Sequence, residues 1–168
     1  MSGTPHGRFL GIDLGERRIG LALRDDSAAP RGLPTMMRRP TAAADAERLR
    51  TIAAEGRVTE LVVGLPLNSD GSVGPQASTT LRWATEVGEA LNLPITFVDE
   101  RYSSQRAEAS LGRAARGSNG GAPGPARRES RRAAIDQEAA RIILEDALNP
   151  GQCIDPVTLT TDMRESAT

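Results

Sequence analysis

The sequence predicts one α/β domain in which a mixed β-sheet is flanked by helices. The apolar segments RFLGIDL (8–14) and RIGLALR (18–24) are separated by a short glycine-containing turn, which is typical of a β-hairpin. The short apolar segments at 60–66 and 94–100 each follow a helical pattern, as buried parallel strands joined by helices do. Hairpin strands beside parallel strands make a mixed sheet, and ligands bind such sheets where the chain leaves the carboxyl ends of the central strands.

Caps and chain breakers define the remaining elements. Residues 25–40 contain three prolines, which predicts a loop with one short edge strand at about 34–38. Thr41 is the expected N-cap of a helix that ends at about Glu55, before Gly56. Three further helices are predicted at 76–91, from 103 to about 116, and from about 127 or 129 to 148.

The chain of 168 residues is expected to form a single domain over 8–149. The first seven residues lack an apolar stretch and 150–168 is rich in Thr and Asp, so 1–7 and 150–168 are predicted to be disordered tails. The segment GSNGGAPGP at 117–125 has the composition of a linker and is predicted to be a mobile loop within the domain.

Composition excludes several classes of protein. One cysteine and one histidine rule out an intramolecular disulfide and nearly exclude metal sites built from those residues. No segment approaches the roughly 20 apolar residues of a membrane-spanning helix, and no signal peptide is evident, so a cytoplasmic protein without a membrane partner is expected. The net charge is −1, but 101–132 contains eight arginines against two glutamates. This local excess of positive charge predicts an anionic partner on one face.

Acidic residues occur at three places beside or within the predicted core. Asp13 interrupts the first strand, Asp99 and Glu100 close the strand at 94–100, and Asp136 lies beside the apolar stripe of the last helix. Buried carboxylates are costly and repel one another, so their convergence would require a cation. Oxygen ligands suit Mg²⁺ or Mn²⁺, and two such ions can activate a water and stabilise the leaving oxygen of a phosphodiester.

Each acid also has a purely structural interpretation. Asp13 could be a turn or capping residue, and the 99–100 pair could cap the next helix with an ion pair to Arg101. Asp136 could form an exposed salt bridge with Arg132, four residues earlier in the same helix. The residues alone leave these alternatives open, and the order and context of the acids together favour a shared site.

Four motifs occur in a specific order, GIDLGERRIGLALRD, LVVGLPLNSDGSVG, FVDERYSSQRAE and IDQEAARIIL. Together they resemble the YqgF family of RNase H-like nucleases, also called RuvX, over approximately 8–148. The resemblance implies an RNase H-like mixed five-stranded sheet flanked by helices. It also implies catalytic acids on the first strand, in the DER motif and in the last helix, which correspond here to Asp13, the Asp99–Glu100 pair and Asp136. Alternation along the strand favours Glu100 over Asp99, so the implied metal ligands are Asp13, Glu100 and Asp136.

The resemblance further implies a nuclease, dependent on Mg²⁺ or Mn²⁺, that matures the 5′ end of precursor 16S rRNA. A first alternative is a Holliday junction resolvase that cuts branched DNA, which would need a homodimer, whereas an rRNA nuclease could be a monomer or a homodimer. A second is a catalytically inactive assembly factor that binds rRNA. The hairpin GIDLGERRIG also resembles the phosphate-binding hairpin of actin-like ATPases and sugar kinases, but 168 residues cannot supply the second lobe those proteins need.

Several polar residues are expected to bind the substrate. Arg17 and Arg18 lie at the hairpin tip and Arg101 follows the acidic pair, so each could contact a phosphate near the acids. Asn68 follows a central strand, although turn formation explains it equally well. A solvated helix face is the alternative interpretation of the other arginines. The predicted substrate-binding set is Arg17, Arg18, Asn68, Arg101, Arg106, Arg131 and Arg132.

Overall fold

The computed structural model describes residues 7–25, 28–112, 120–155 and 159. Within these residues, six strands form one sheet. The strands are β1 (Arg8–Leu14), β2 (Arg18–Asp25), β3 (Arg31–Met37), β4 (Glu60–Leu65), β5 (Ile95–Asp99) and β6 (Cys153–Ile154). The helices are α1 (Ala42–Glu55), α2 (Pro75–Leu91), α3 (Ser103–Leu111) and α4 (Pro125–Asp146), followed by a 3₁₀ turn at Pro150–Gln152. Of these, α1, α2 and α4 are packed on the faces of the sheet, and α3 packs against α4.

The order of the strands across the sheet is β3-β2-β1-β4-β5-β6. β1 is antiparallel to β2, with Asp13 opposite Gly20, and parallel to β4. β4 is in turn parallel to β5, with Leu65 opposite Asp99. The carboxyl ends of β1, β4 and β5 therefore lie at the same edge of the sheet, which places the residues that follow β5 near the end of β1.

Alternation along β1 directs its side chains into two different cores. Leu10 packs in the larger core with side chains of α1 and α2, among them Leu49. On the opposite face, Phe9 packs in a second cluster with Ile143 of α4. Asp13 lies four residues after Phe9 in β1, so both side chains point to the same face of the sheet, which α4 covers.

Small residues let α4 approach the hairpin strands closely. A Cβ atom at Gly20 would lie 2.0 Å from the carbonyl oxygen of Asp136, and one at Gly11 would lie 2.7 Å from that of Ala140. Ala140 is fully buried at this contact, and Ala139 is fully buried against Ala107 of α3. The close approach carries Asp136 to the part of the sheet that contains Asp13.

The α/β fold class, the hairpin and the mixed sheet flanked by helices are confirmed. The sheet has six strands instead of the expected five, because β6 pairs antiparallel with β5. This strand lies in the segment predicted to be a disordered tail, and Leu159 is also buried, so the folded chain extends beyond 149. A chain that pairs with β5 covers an edge that would otherwise leave its backbone groups unpaired, and the sequence pattern of two residues is too short to predict it.

Some element boundaries also differ from the prediction. β3 begins at Arg31 and not at about 34, and α4 begins at Pro125, a residue suited to the first helical position. α3 ends at Leu111 because Gly112 has a φ of +71°, which breaks the helix. The predicted end of that helix and the start of the predicted mobile loop fall in 113–119, which lie outside the described residues, as do 1–6 and 160–168 of the predicted tails.

The helices of the described residues are all too short or too polar to span a membrane.

Candidate active site

Three acidic side chains from distant parts of the chain line one groove at the carboxyl ends of the parallel strands. Asp13 comes from β1, Glu100 directly follows β5, and Asp136 comes from α4. The groove has a volume of about 620 Å³. Arg101 and Asn68 also line it, so the structure brings together five of the residues that the sequence singled out.

Asp13 is buried and Glu100 is half-buried beside it, with the two carboxyl groups close enough to share a hydrogen bond. Asp13 is only 9% exposed, and burial raises its pKa, with a further increase from the charge of Asp136 and an opposing effect of the hydrogen bond from Glu100. Burial also raises the pKa of Glu100 well above its ordinary value, and both the charge of Asp13 and the hydrogen bond to it raise it further. These effects favour the protonated form of Glu100, whose hydroxyl can donate a hydrogen bond to the Asp13 carboxylate.

Contacts at the end of β5 fix the position of Glu100. Its backbone N–H donates to the carbonyl oxygen of Leu65 at 3.0 Å, and the Ser103 hydroxyl donates to its Oε1 at 2.9 Å. Ser103 is itself buried at the start of α3. The absence of a side chain at Gly64 makes room for the carboxyl group, because a Cβ there would lie 2.5 Å from Glu100 Oε2.

Asp136 is ion-paired with an arginine of the hairpin. Arg18 Nε donates to Asp136 Oδ2 at 2.6 Å, and Arg18 Nη1 donates to Glu129 Oε1 at 3.0 Å. The Arg18 side chain is 16% exposed and that of Asp136 is 22% exposed, whereas Glu129 is 55% exposed. The hydrogen bond to Asp136 is the largest of the effects that raise the pKa of Arg18. We refer to the contacts of Arg18 with Asp136 and Glu129 as the Arg18 bridge.

Asp99 is directed away from the acidic pair. Its carboxylate accepts from Arg101 Nε at 2.9 Å, and Arg101 Nη1 donates to the carbonyl oxygen of Ser69 at 3.1 Å. Asp99 does not line the groove, whereas Glu100 does. Adjacent residues at the end of a strand project in opposite directions, which explains why the two acids of the DER motif have different surroundings.

The walls of the groove come from the β4–α2 loop and the start of α2. Asn68 Nδ2 donates to the Ser72 hydroxyl at 2.9 Å, and a Cβ at Gly74 would lie 2.6 Å from Asn68 Oδ1. Pro75 and Gln76 begin α2 and also line the groove. The N-terminus of this helix therefore adds partial positive charge to a groove that contains three carboxyl groups.

The remaining predicted substrate-binding arginines lie outside this groove. Arg17 is exposed at the hairpin tip. Arg106 pairs with Asp146 at 2.7 Å, ten residues along α4 from Asp136, which corresponds to about 15 Å of helix. Arg131 donates to the carbonyl oxygen of Gly112 at 2.6 Å, and both Arg131 and Arg132 line a second groove of about 560 Å³ between α3 and the start of α4.

A family model described as Holliday junction resolvase, RuvX, matches residues 7–150. The chain belongs to the RuvX family. This RuvX-family chain is 42% identical over 146 residues to a protein of Synechococcus sp. named "Putative pre-16S rRNA nuclease", covering 86% of this chain and 91% of the relative. A protein of Roseiflexus sp. with the same name is 38% identical over 149 residues, covering 89% of this chain and 98% of the relative.

A solved structure shares the fold of this RuvX-family chain. It is described as RuvC of T. thermophilus in complex with a Holliday junction substrate, and it matches with a TM-score of 0.53 and 13% sequence identity. The match covers 89% of this chain and 100% of the RuvC chain. At this identity the similarity establishes the RNase H-like fold expected from the sequence, and the chemistry must be argued from this chain's own groove.

Four residues that shape the site were not singled out from the sequence. Ser103 contacts Glu100, Glu129 contacts Arg18, and Gly20 and Gly64 leave space for Asp136 and Glu100. The glycines carried a signal, since a glycine inside an apolar strand indicates a close approach of another group. No feature of the sequence indicated a role for Glu129, because a glutamate between arginines on a helix is usually a solvated residue.

The donor set fits a hard divalent cation, although the three acids are not yet arranged around one point. Within the ranges that the structure describes, no group of three acidic, histidine or cysteine side chains is placed to hold a metal ion. Asp136 Oδ2 accepts from Arg18 Nε at 2.6 Å, while Asp13 and Glu100 contact each other. Replacing the Glu100 proton by a cation would relieve the burial cost of the pair, and oxygen donors of this kind prefer Mg²⁺ or Mn²⁺.

The raised pKa of Glu100 predicts a pH-dependent stability in the absence of metal. Folded protein binds a proton at Glu100 that the unfolded chain loses above pH 4.5, the ordinary pKa of this group, so the free energy of unfolding should fall as the pH rises above that value. Glu100→Gln removes this loss and should make the metal-free variant more stable than wild type at neutral pH. Urea unfolding in EDTA between pH 5 and pH 8 measures both proteins. Parallel curves for the two would contradict the protonated state of Glu100.

Proposed function

We propose that this chain is a metal-dependent nuclease of the cytoplasm that hydrolyses phosphodiester bonds during maturation of the 5′ end of precursor 16S rRNA. The observation that carries the proposal is the close approach of buried Asp13 and half-buried Glu100, which line the same groove as Asp136. A fold gains no stability from bringing carboxyl groups together away from water, so the arrangement is best explained by a ligand that neutralises them. The relatives named for pre-16S rRNA at about 40% identity favour RNA as the substrate.

The residues that would hold the cation are Asp13 and Glu100, with Asp136 completing the set. Bound there, Mg²⁺ or Mn²⁺ supplies Lewis-acid stabilisation of charge on the phosphate and lowers the pKa of water at the site. Asp13 is fixed by the rigid strand β1, and Glu100 by its backbone hydrogen bond to Leu65 and by Ser103. Asp13 and Glu100 are therefore presented by elements that do not need to reorganise during the reaction.

The positive groups around the acids would bind and orient the RNA. Arg101 lines the groove with its guanidinium anchored by Asp99, and the N-terminus of α2 opens onto the same space. The groove between α3 and α4 extends the positive surface through Arg127, Arg128, Arg131 and Arg132. Phosphate contacts from such a surface position a strand without reading its sequence and weaken with salt.

The nuclease is tested by incubating the full chain with precursor 16S rRNA fragments and with four-way DNA junctions in Mg²⁺, in Mn²⁺ and in EDTA. We expect cleavage of the precursor RNA in either metal, and loss of cleavage in EDTA that is restored by adding excess metal. Product ends are mapped by primer extension. Cleavage that continues in EDTA would contradict metal dependence, and cleavage of the junction alone would replace rRNA by branched DNA as the substrate.

Asp13→Asn is the matched variant for this experiment, because it removes one charge from the acidic pair and keeps the size of the side chain. The variant should bind the precursor RNA in a gel-shift assay and fail to cleave it. If the variant supports rRNA processing as well as wild type does, the protein is a binding factor and not an enzyme. Light scattering of the same samples determines whether the active species is a monomer or a homodimer.

A further inference from the structure

We propose that Arg18 couples RNA binding to completion of the metal site, by exchanging Asp136 for a substrate phosphate. This inference rests on the proposed metal site and assigns a positioning role to Arg18. The Arg18 bridge joins β2 to α4 through Asp136 and Glu129. Asp136 lines the groove with Asp13 and Glu100, but one of its two oxygens is occupied by Arg18 Nε at 2.6 Å.

The geometry of the bridge shows what would have to change for a cation to bind all three acids. Asp13 and Glu100 are already in hydrogen-bond contact, and Asp136 is close enough for its charge to raise the pKa of Asp13. In the described part of the chain, no three potential ligands are yet grouped for a metal. A cation that binds all three acids would have to compete with Arg18 for Asp136 Oδ2.

A phosphodiester is the ligand suited to release Asp136 from Arg18. A guanidinium group binds phosphate oxygens in the same forked geometry that it uses for carboxylates. The arm of the bridge to Glu129 is largely exposed, and exposed ion pairs contribute little to stability, so a phosphate can replace Glu129 at Arg18 Nη1 at low cost. A phosphate held there, beside Asp136 at the edge of the groove, would then compete with Asp136 for the rest of the guanidinium and make Asp136 available to the cation.

The coupling has a consequence for affinity that is independent of catalysis. RNA should raise the affinity of the protein for Mn²⁺, and by thermodynamic linkage Mn²⁺ should raise the affinity for RNA by the same factor. Factors of about 5- to 150-fold are typical of coupled sites. A protein of this design binds metal weakly until its substrate is present, which limits indiscriminate cleavage.

The test measures Mn²⁺ affinity from the electron paramagnetic resonance signal of free Mn²⁺, with and without a short single-stranded RNA whose integrity is checked on a gel. For wild type, we expect the RNA to tighten Mn²⁺ binding at least fivefold. Arg18→Gln should bind Mn²⁺ more tightly than wild type without RNA, and RNA should add little. Arg18→Lys, which keeps the charge but loses the fork, should lie between the two.

Two controls separate this proposal from the proposed function. Arg48→Gln removes a positive charge from exposed α1, on the opposite face of the sheet from α4, and should behave as wild type. Asp13→Asn should lose Mn²⁺ binding, and if it does not, the proposed metal site itself is wrong. If Asp13→Asn loses binding while Arg18→Gln binds Mn²⁺ as wild type does or more weakly, the metal site stands and the coupling role of Arg18 is overturned. Circular dichroism confirms that each variant is folded.

Discussion

Glu100→Gln is expected to lower the rate of RNA cleavage by at least about 10³-fold, the upper end of the loss seen when one preorganised electrostatic group is removed. Asp99→Asn is expected to remain within about tenfold of wild type, since loss of one partly exposed ion pair is worth about 1 kcal/mol. The two residues are adjacent, and each substitution replaces an acid by its amide. Only Glu100 lines the groove with Asp13, whereas Asp99 contacts Arg101.

The comparison is made by single-turnover cleavage of precursor RNA at saturating protein, so that weaker RNA binding does not affect the rate. Arg101 keeps its contact with the carbonyl oxygen of Ser69 in Asp99→Asn, which limits the disturbance to the groove. Glu100→Gln is expected to stay folded, because its amide can still donate to Asp13 without a buried charge. A larger loss for Asp99→Asn than for Glu100→Gln would show that the assignment of the two acids is reversed.

The positions of Asp13 and Glu100 could be predicted from the sequence because both depend on local rules. An acid inside an apolar strand must lie on one face or the other, and alternation in β1 places Asp13 on the same face as Phe9. The carboxyl ends of parallel strands lie at one edge, so a residue that directly follows β5 comes near the end of β1. The order of the four motifs carried the resemblance to the RuvX family, which implied that both acids belong to one site.

The Arg18 bridge could not be predicted in the same way, because its partners are 118 and 111 residues apart in the chain. The position of α4 along the sheet determines which arginine contacts Asp136. Packing at Gly20 and Gly11 fixes that position. The sequence suggested Arg132 as the partner because it is four residues from Asp136 on the same helix. The structure instead pairs Asp136 with the hairpin residue Arg18.

Strand β6 escaped prediction for a different reason. Its two residues are too few to show a periodic pattern. They pair with Phe97 and Val98, so the strand depends on tertiary contacts at the edge of the sheet. Similarly, the ends of the helices around 112 and 125 depend on Gly112 and Pro125, whose effects are recognisable only when the path of the chain is known. Local signals therefore identified the elements, and long-range packing decided their contacts.

Gly20→Ala is expected to destabilise the fold and to impair cleavage, because α4 cannot keep its position against a methyl group there. The new Cβ would lie 2.0 Å from the carbonyl oxygen and 2.5 Å from the carbonyl carbon of Asp136, both of them backbone atoms that cannot rotate away. Overpacking of this kind costs about 1–3 kcal/mol. The new methyl group displaces the part of α4 that contains Asp136. A displacement of about 1 Å would therefore also lower the cleavage rate by about 10²-fold.

The matched control is Gly32→Ala on the neighbouring strand β3, which faces the same helix. The three atoms nearest to its Cβ would all belong to the side chain of Gln137, the first at 2.3 Å, and that side chain can rotate at the expense of its hydrogen bond to the Leu33 carbonyl oxygen. Urea unfolding and single-turnover cleavage of both variants separate the two contacts. If Gly20→Ala retains wild-type stability and cleavage, α4 has freedom to move over the hairpin, and the position of Asp136 is not determined by this contact. If it loses cleavage far beyond its loss of stability, the distance between α4 and β2 sets the geometry of the acids, and the glycine is as necessary to the site as the residues that line it.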